Sequence, residues 1–277
     1  MRLANLNGRA AVVVDERTVD VERATGGELP SDPMALVGRL DELASLDVPS
    51  DAPQLDPAQL GPPVPRPSKI LAAALNYRSH AEEAGLPLPD APVLFAKLPS
   101  ALNGPHGDIV VPAGRDKVDW EAELVLAIGT RGKDIQAEEA WAHVAGVMCG
   151  QDVSDRGEQF RSVRQFTIAK SRDTYAPTGP VLVTPDELPD RDDLAVRCAV
   201  DGEEVQSGRT NDLIFPVPEL VAFISSWCTL EPGDLIYTGT PSGVGDSREP
   251  PRYLSAGNVV ETEIEGIGAL RNACVSG

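Results

Sequence analysis

Trp120-Glu121-Ala122-Glu123-Leu124-Val125-Leu126-Ala127-Ile128 reads as an apolar β-strand with two acidic side chains near its start. Side chains alternate across a strand, so Glu121 and Glu123 share one face while Ala122, Leu124, Leu126 and Ile128 share the other. Two neighbouring carboxylates repel each other. A hard divalent cation, which prefers oxygen ligands, would turn that repulsion into attraction. A half-exposed strand with one polar face accounts for the same alternation, because sheets open to water on one side show it routinely.

The length of 277 residues suits one large domain, or a main domain with a small appendage, and allows a substantial core. Asp and Glu number 43 against 24 Lys and Arg, a formal net charge of -19, which disfavours nucleic acid and anionic membranes as partners. No stretch approaches the roughly 20 apolar residues needed to span a bilayer. The N-terminal MRLANLNGRAAVVVDERT has no signal-peptide pattern, so a cytoplasmic setting is expected. Cys149, Cys198, Cys228 and Cys274 show no C-x-x-C spacing and suit small core residues in a reduced compartment. No pair among His80, His106 and His143 has metal-ligand spacing, so oxygen-ligated Mg²⁺, Mn²⁺ or Ca²⁺ is favoured over zinc.

Residues 9–14 and 18–21 resemble a short hairpin, and Leu36, Leu40 and Leu43 fall at helical spacing within 34–46. Seven prolines between positions 49 and 67 forbid regular helix and mark an extended linker. The division expected is a small N-terminal α/β cap with linker over residues 1–66 and a main domain over 67–277. Short apolar runs at 69–74, 123–128, 181–184, 194–200, 234–237 and 259–264 predict a mainly β architecture. Asp201-Gly202 is a strong hairpin turn, and helices are predicted only at 77–84, 137–147 and 218–228.

Asp152 follows the apolar run Val144–Val147, a position that can aim a carboxylate into a cleft or form a simple turn or cap. Lys170 closes the apolar stretch that starts at Phe166, and a partly buried lysine needs an anionic neighbour. His80 and Glu83 lie three apart, hence on one face of a helix. They form either a surface contact or a pair in which the carboxylate orients an imidazole that takes a proton from water. Residues 237–245, YTGTPSGVG, lack the lysine of a phosphate-binding loop, and read better as a tight turn offering backbone N–H groups and Thr240 to a carboxylate.

Seven ordered blocks, NYRSHAEEAG, FAKLPSALNGP, VDWEAELVLAIG, CGQDVSDRG, FTIAKSRDTYAPTGP, GRTNDLIFPVPELVAFIS and LEPGDLIYTGTPSGVG, resemble the fumarylacetoacetate hydrolase family from about residue 67 to the C-terminus. The resemblance implies a mixed β-sandwich roll, a homodimer, and a divalent cation, Mg²⁺ or Mn²⁺ with Ca²⁺ as a substitute in crystals, held by Glu121, Glu123 and Asp152. It implies that Lys170 faces the bound substrate, that His80 and Glu83 form a water-activating dyad, and that Gln159 helps to orient that water. Arg156, Lys97, Thr240 and Tyr77 are the residues expected to grip the substrate's carboxylate or distal groups.

The retained dyad favours hydrolysis of a C–C bond in a 2,4-dioxo or related 2-oxo carboxylic acid. An isomerase, tautomerase or decarboxylase of oxo acids would use the same site. A non-catalytic cation-binding scaffold is the third reading.

Overall fold

A computed structural model describes residues 1–161 and 163–277. The opening stretch is a central strand, Ala122–Ile128, buried at every position. It pairs antiparallel with Val144–Gln151 on one side, from Ala122 opposite Gln151 to Ile128 opposite Val144, and with Leu235–Tyr237 on the other. A partly exposed strand is therefore excluded, because both edges carry a ladder and both faces are covered.

The large sheet has 11 strands. Its main path runs through Arg17–Asp20, Arg9–Val14, Arg2–Leu6, Ala176–Val183, Val144–Gln151, Ala122–Ile128, Leu235–Tyr237, Ile70–Ala74 and Val93–Lys97. A second sheet of five strands is ordered Glu203–Arg209, Ala195–Val200, Val259–Ile264, Gly268–Ser276, Ile109–Val111. Leu124, Leu126 and Ile128 share one core with Val196, Cys198, Val260 and Leu270 of that sheet and with Leu220 and Ile224 of the helix Val217–Trp227. The fold is thus mainly β with short helices, a mixed β-sandwich roll.

The opposite face of the central strand carries Val125 and Ala127, which pack with Met148, Tyr237, Leu3, Val12, Leu36 and Leu40. The N-terminal hairpin Arg9–Val14 and Arg17–Asp20 forms as read, and Arg2–Leu6 splices it into the large sheet by pairing with Ala176–Val183. Leu36, Leu40 and Leu43 are buried at the spacing noted, but the chain there makes only 3₁₀ turns, Pro33–Ala35 and Leu40–Leu43. Gly38 between them sits so close to the main sheet that a Cβ would lie 2.8 Å from the Gly129 carbonyl oxygen.

The expected helix over 137–147 stops at His143, and Val144–Gln151 is a strand. β-Branched Val144 and Val147 favour that outcome, and at Gly146 a Cβ would meet the Val183 carbonyl oxygen at 2.7 Å. Asp201 and Gly202 both adopt positive φ, 54° and 80°, as a two-residue hairpin turn demands. Among the described residues no helix is long and apolar enough to cross a membrane.

Because Leu126 is fully buried between two ladders, Leu126→Ala should destabilise the protein by about 2–5 kcal/mol, read as a lowered urea midpoint with an unchanged slope.

Candidate active site

Glu121 and Glu123 lie on the face of the central strand that looks away from the sandwich core. Gln151 Oε1 accepts from the Glu121 N–H at 2.9 Å, and the Asp152 N–H donates to the Glu121 carbonyl at 2.9 Å, so the end of the neighbouring strand delivers Asp152 opposite Glu121. At Gly150 a Cβ would fall 2.3 Å from Val125 Cγ2, which explains why glycine precedes this delivery. One carboxylate oxygen from each of Glu121, Glu123 and Asp152 lies within 4.8 Å of the others, and all three residues are buried.

Two lysines face this triad. Lys170, at the end of the helix Phe166–Lys170, donates to Glu121 Oε2 and Asp152 Oδ2, each at 2.6 Å. Its ammonium lies 5.1 Å from the centre of the Phe95 ring, which stacks on Phe166 at 5.4 Å. Lys97 donates to Asp152 Oδ1 and to the Lys170 carbonyl from behind.

Burial works against the Glu121 anion, but Lys170 and Arg156 outweigh it and hold that carboxyl below the ordinary range. Burial, then the neighbouring Asp152 and Glu121 carboxylates, push the Glu123 carboxyl well up. Burial also pulls the Lys97 ammonium down against the attraction of Asp152, whereas Asp152 and Glu121 overcome burial and raise Lys170.

The His80–Glu83 pair forms as read. The helix Arg78–Glu83 places His80 Nδ1 3.3 Å from Glu83 Oε2. Asn76, just before it, donates to the carbonyls of Thr238 and Phe215. The 237–245 turn offers its N–H groups to carboxylates of the protein itself: Gly239 to Glu123 Oε2 at 2.7 Å and Gly243 to Glu83 Oε1 at 2.8 Å. Gly239 has φ +104°, and a Cβ there would lie 2.8 Å from Asn76 Cβ.

His80, Glu121, Glu123, Lys170, Arg156 and Gln159 open on one cavity of about 320 Å³. Its remaining wall is largely apolar, including Phe95, Phe160, Phe166 and Val244. A larger depression of about 760 Å³, lined by Arg115, Asp155 and Arg172, is reached by no member of the triad.

The proposed substrate grips are redistributed. Lys97 does not line the cavity, because its ammonium is fully buried behind Asp152. Tyr77 is likewise buried outside the cavity lining, with a hydroxyl that has no partner among the described residues. Thr240 lines the cavity, but its hydroxyl donates to the Ala122 carbonyl and accepts from Gln206 Nε2, which pins the turn to the central strand. Arg156 remains at the cavity with its guanidinium divided among Asp119, Glu121 and Gln159 Oε1.

Asp119 escaped the sequence reading. It belongs to an Asp-x-Glu-x-Glu alternation, a signal masked by the polar turn that precedes it. It is fully buried and accepts from Arg156 and three backbone N–H groups.

The family described as fumarylacetoacetate (FAA) hydrolase C-terminal matches residues 69–275. An oxaloacetate tautomerase of human (Homo sapiens) mitochondria is 44% identical over 214 residues, 77% of this chain and 68% of the relative. A 2,4-didehydro-3-deoxy-L-rhamnonate hydrolase of a Sphingomonas species is 43% identical over 212 residues, 76% of this chain and 74% of the relative. Maleylpyruvate hydrolase from Sphingobium sp. SYK-6, crystallised with manganese(II) and pyruvate, superposes with a TM-score of 0.81 at 31% identity, covering 100% of both chains. The chain belongs to the fumarylacetoacetate hydrolase family and is an enzyme.

The donor set fits a divalent ion. Glu121, Glu123 and Asp152 supply hard oxygens, and in the connected network at the site the four carboxylates of Asp119, Glu121, Glu123 and Asp152 outnumber the three cations Lys97, Arg156 and Lys170 among the described residues. Glu123, pushed up by burial and by the Asp152 and Glu121 carboxylates, makes no ion pair among the described residues, whereas Glu121 and Asp152 each do.

Glu123→Gln should therefore lose Mn²⁺ binding in titration calorimetry. Lys170→Met should bind Mn²⁺ at least as tightly as the unaltered protein, because the ammonium competing for Glu121 Oε2 and Asp152 Oδ2 is gone.

Proposed function

We propose that the protein hydrolyses a C–C bond in a 2,4-dioxo or related 2-oxo carboxylic acid with the help of Mg²⁺ or Mn²⁺ at the acidic triad. The observation that carries this reading is the position of His80, backed by Glu83, on the same cavity as Glu121 and Glu123. A bound divalent ion supplies Lewis acidity, polarising the 2-oxo group and stabilising the negative charge that develops there.

The rest falls to the side chains. His80, with Nδ1 turned to Glu83, accepts a proton from water at its other ring nitrogen, and Glu83 stabilises the imidazolium. Gln159 takes the Arg156 N–H on its oxygen and keeps its amide group to orient the water. Hydroxide adds to the distal carbonyl, and collapse of the adduct breaks the C–C bond. One fragment leaves as a carboxylic acid and the other as the enolate of a 2-oxo acid, which is then protonated. Lys170 stabilises the oxyanion charge. The Phe95–Phe166 wall keeps bulk water out of the charged end.

The 44% identity to an oxaloacetate tautomerase supports a second reading, in which the same site only moves a proton between the enol and oxo forms. A scaffold that merely binds a cation accounts for neither His80 at the cavity nor the Glu83 carboxylate behind it.

Products decide between these readings. Incubation of the enzyme and Mg²⁺ with an acylpyruvate should yield pyruvate and a carboxylic acid by mass spectrometry, and no products after chelation. Loss of the enol absorbance at constant mass would support tautomerisation instead. His80→Ala should retain Mn²⁺ binding and lose hydrolysis, and full turnover in that variant would remove His80 from the scheme.

A further inference from the structure

We propose that Asp119 is a positioning residue: it locks the loop 239–247 onto the start of the central strand and so holds the His80–Glu83 pair in place over the triad. The inference rests on the water-activating role of that pair.

The geometry joins three groups at one buried carboxylate. Asp119 Oδ1 accepts from the Trp120 N–H at 2.8 Å and the Gly245 N–H at 2.7 Å. Oδ2 accepts from the Asp246 N–H at 3.1 Å and from Arg156 Nε at 2.9 Å. Arg156 continues to Glu121 Oε1 at 2.6 Å and to Gln159 Oε1 at 3.0 Å. The approach of the loop is close: a Cβ at Gly245 would fall 2.6 Å from Asp119 Oδ1. The indole of Trp120 adds a second clasp by donating to the Gly243 carbonyl at 3.1 Å.

That loop is the only element whose N–H groups touch both halves of the machinery, among the described residues. Gly239 donates to the triad at Glu123, and Gly243 donates to the dyad at Glu83. Glu83 sits on a helix of six residues at the edge of the cavity, too short to fix its own side chain. Its orientation therefore depends on the Gly243 N–H, and the Gly243 N–H depends on the two clasps either side of it. A loosened loop would leave the metal ligands on their strands while letting the imidazole drift, and small misplacements of a base are costly to rate.

Asp119→Asn tests this, because it keeps the size of the side chain and replaces one acceptor with a donor. Whichever way the amide turns, one set of donors then faces another donor. In the metal-free protein, hydrogen exchange at the Gly243 and Gly245 amides should rise at least about tenfold. In the loaded enzyme kcat should fall about tenfold to a hundredfold with KM little changed. In a Glu83→Gln background, Asp119→Asn should add no further loss.

Unchanged exchange, unchanged kcat, or an independent loss in the Glu83→Gln background would overturn the proposal. If Glu83→Gln alone keeps full turnover, water activation by the dyad fails, and the exchange measurement still decides whether Asp119 holds the loop. Should Asp119→Asn not fold, Trp120→Phe takes its place, since it removes the indole clasp on the same loop while keeping an aromatic ring in that buried position. Raised exchange at Gly243 with lowered kcat is expected of it, and unchanged exchange would overturn the proposal.

Discussion

Three carboxylates crowded onto buried β-structure are the constraint to which the rest of this molecule answers. Burial penalises each anion, and their mutual repulsion adds to the penalty. Lys170 meets two of them from the cavity side, Lys97 meets Asp152 from behind, and Arg156 takes the free oxygen of Glu121. Among the described residues Glu123 has no cation of its own, only the Gly239 N–H. The cluster is thus neutralised far enough to fold and left anionic enough to attract a divalent ion. Lys170 binds an oxygen of Glu121 and one of Asp152 at once, so its single ammonium ties the two carboxylates together.

The sandwich provides what such a cluster requires, a rigid frame of strands paired on both sides. Glu121 and Glu123 start a strand with a ladder on each side, and Asp152 directly follows its neighbour. The side chains of Gln151 and Gln206 take the N–H groups of Glu121 and Ala122, where the pairing with Leu235–Tyr237 has not yet begun. The carboxylates are therefore set by backbone register rather than by side-chain packing alone.

Much of this was legible in the chain. Alternation in 120–128 placed the acidic pair on one face, the hydrophobic runs located most central strands, and His80 with Glu83 followed from helical spacing. Other parts were hidden for physical reasons. Gly268–Ser276 turns Asn272 inward to bond the carbonyls of Gly104 and Gly107, so its apolar alternation is broken at the point where it would be recognised. Glu203–Arg209 is a sheet edge with a mostly polar sequence. Lys97 and Tyr77 carry functional-looking groups, but only the three-dimensional arrangement shows them buried outside the cavity lining. Apart from the N–H of the adjacent Trp120, Asp119 accepts from Arg156, Gly245 and Asp246, all more than 30 positions away, at a distance no local pattern reports.

The cavity wall and the triad come from different kinds of chain. The triad's carboxylates lie on or next to one pair of adjacent strands, whereas Leu86, Phe160, Val244 and Ser247 in the cavity wall sit on connecting segments. Loops accept substitution and insertion far more readily than a ladder buried on both faces. Reshaping those segments can alter the size and polarity of the acid admitted while the chemistry stays fixed, so that one frame can pass through many substrates in the course of divergence without ever losing its ability to react.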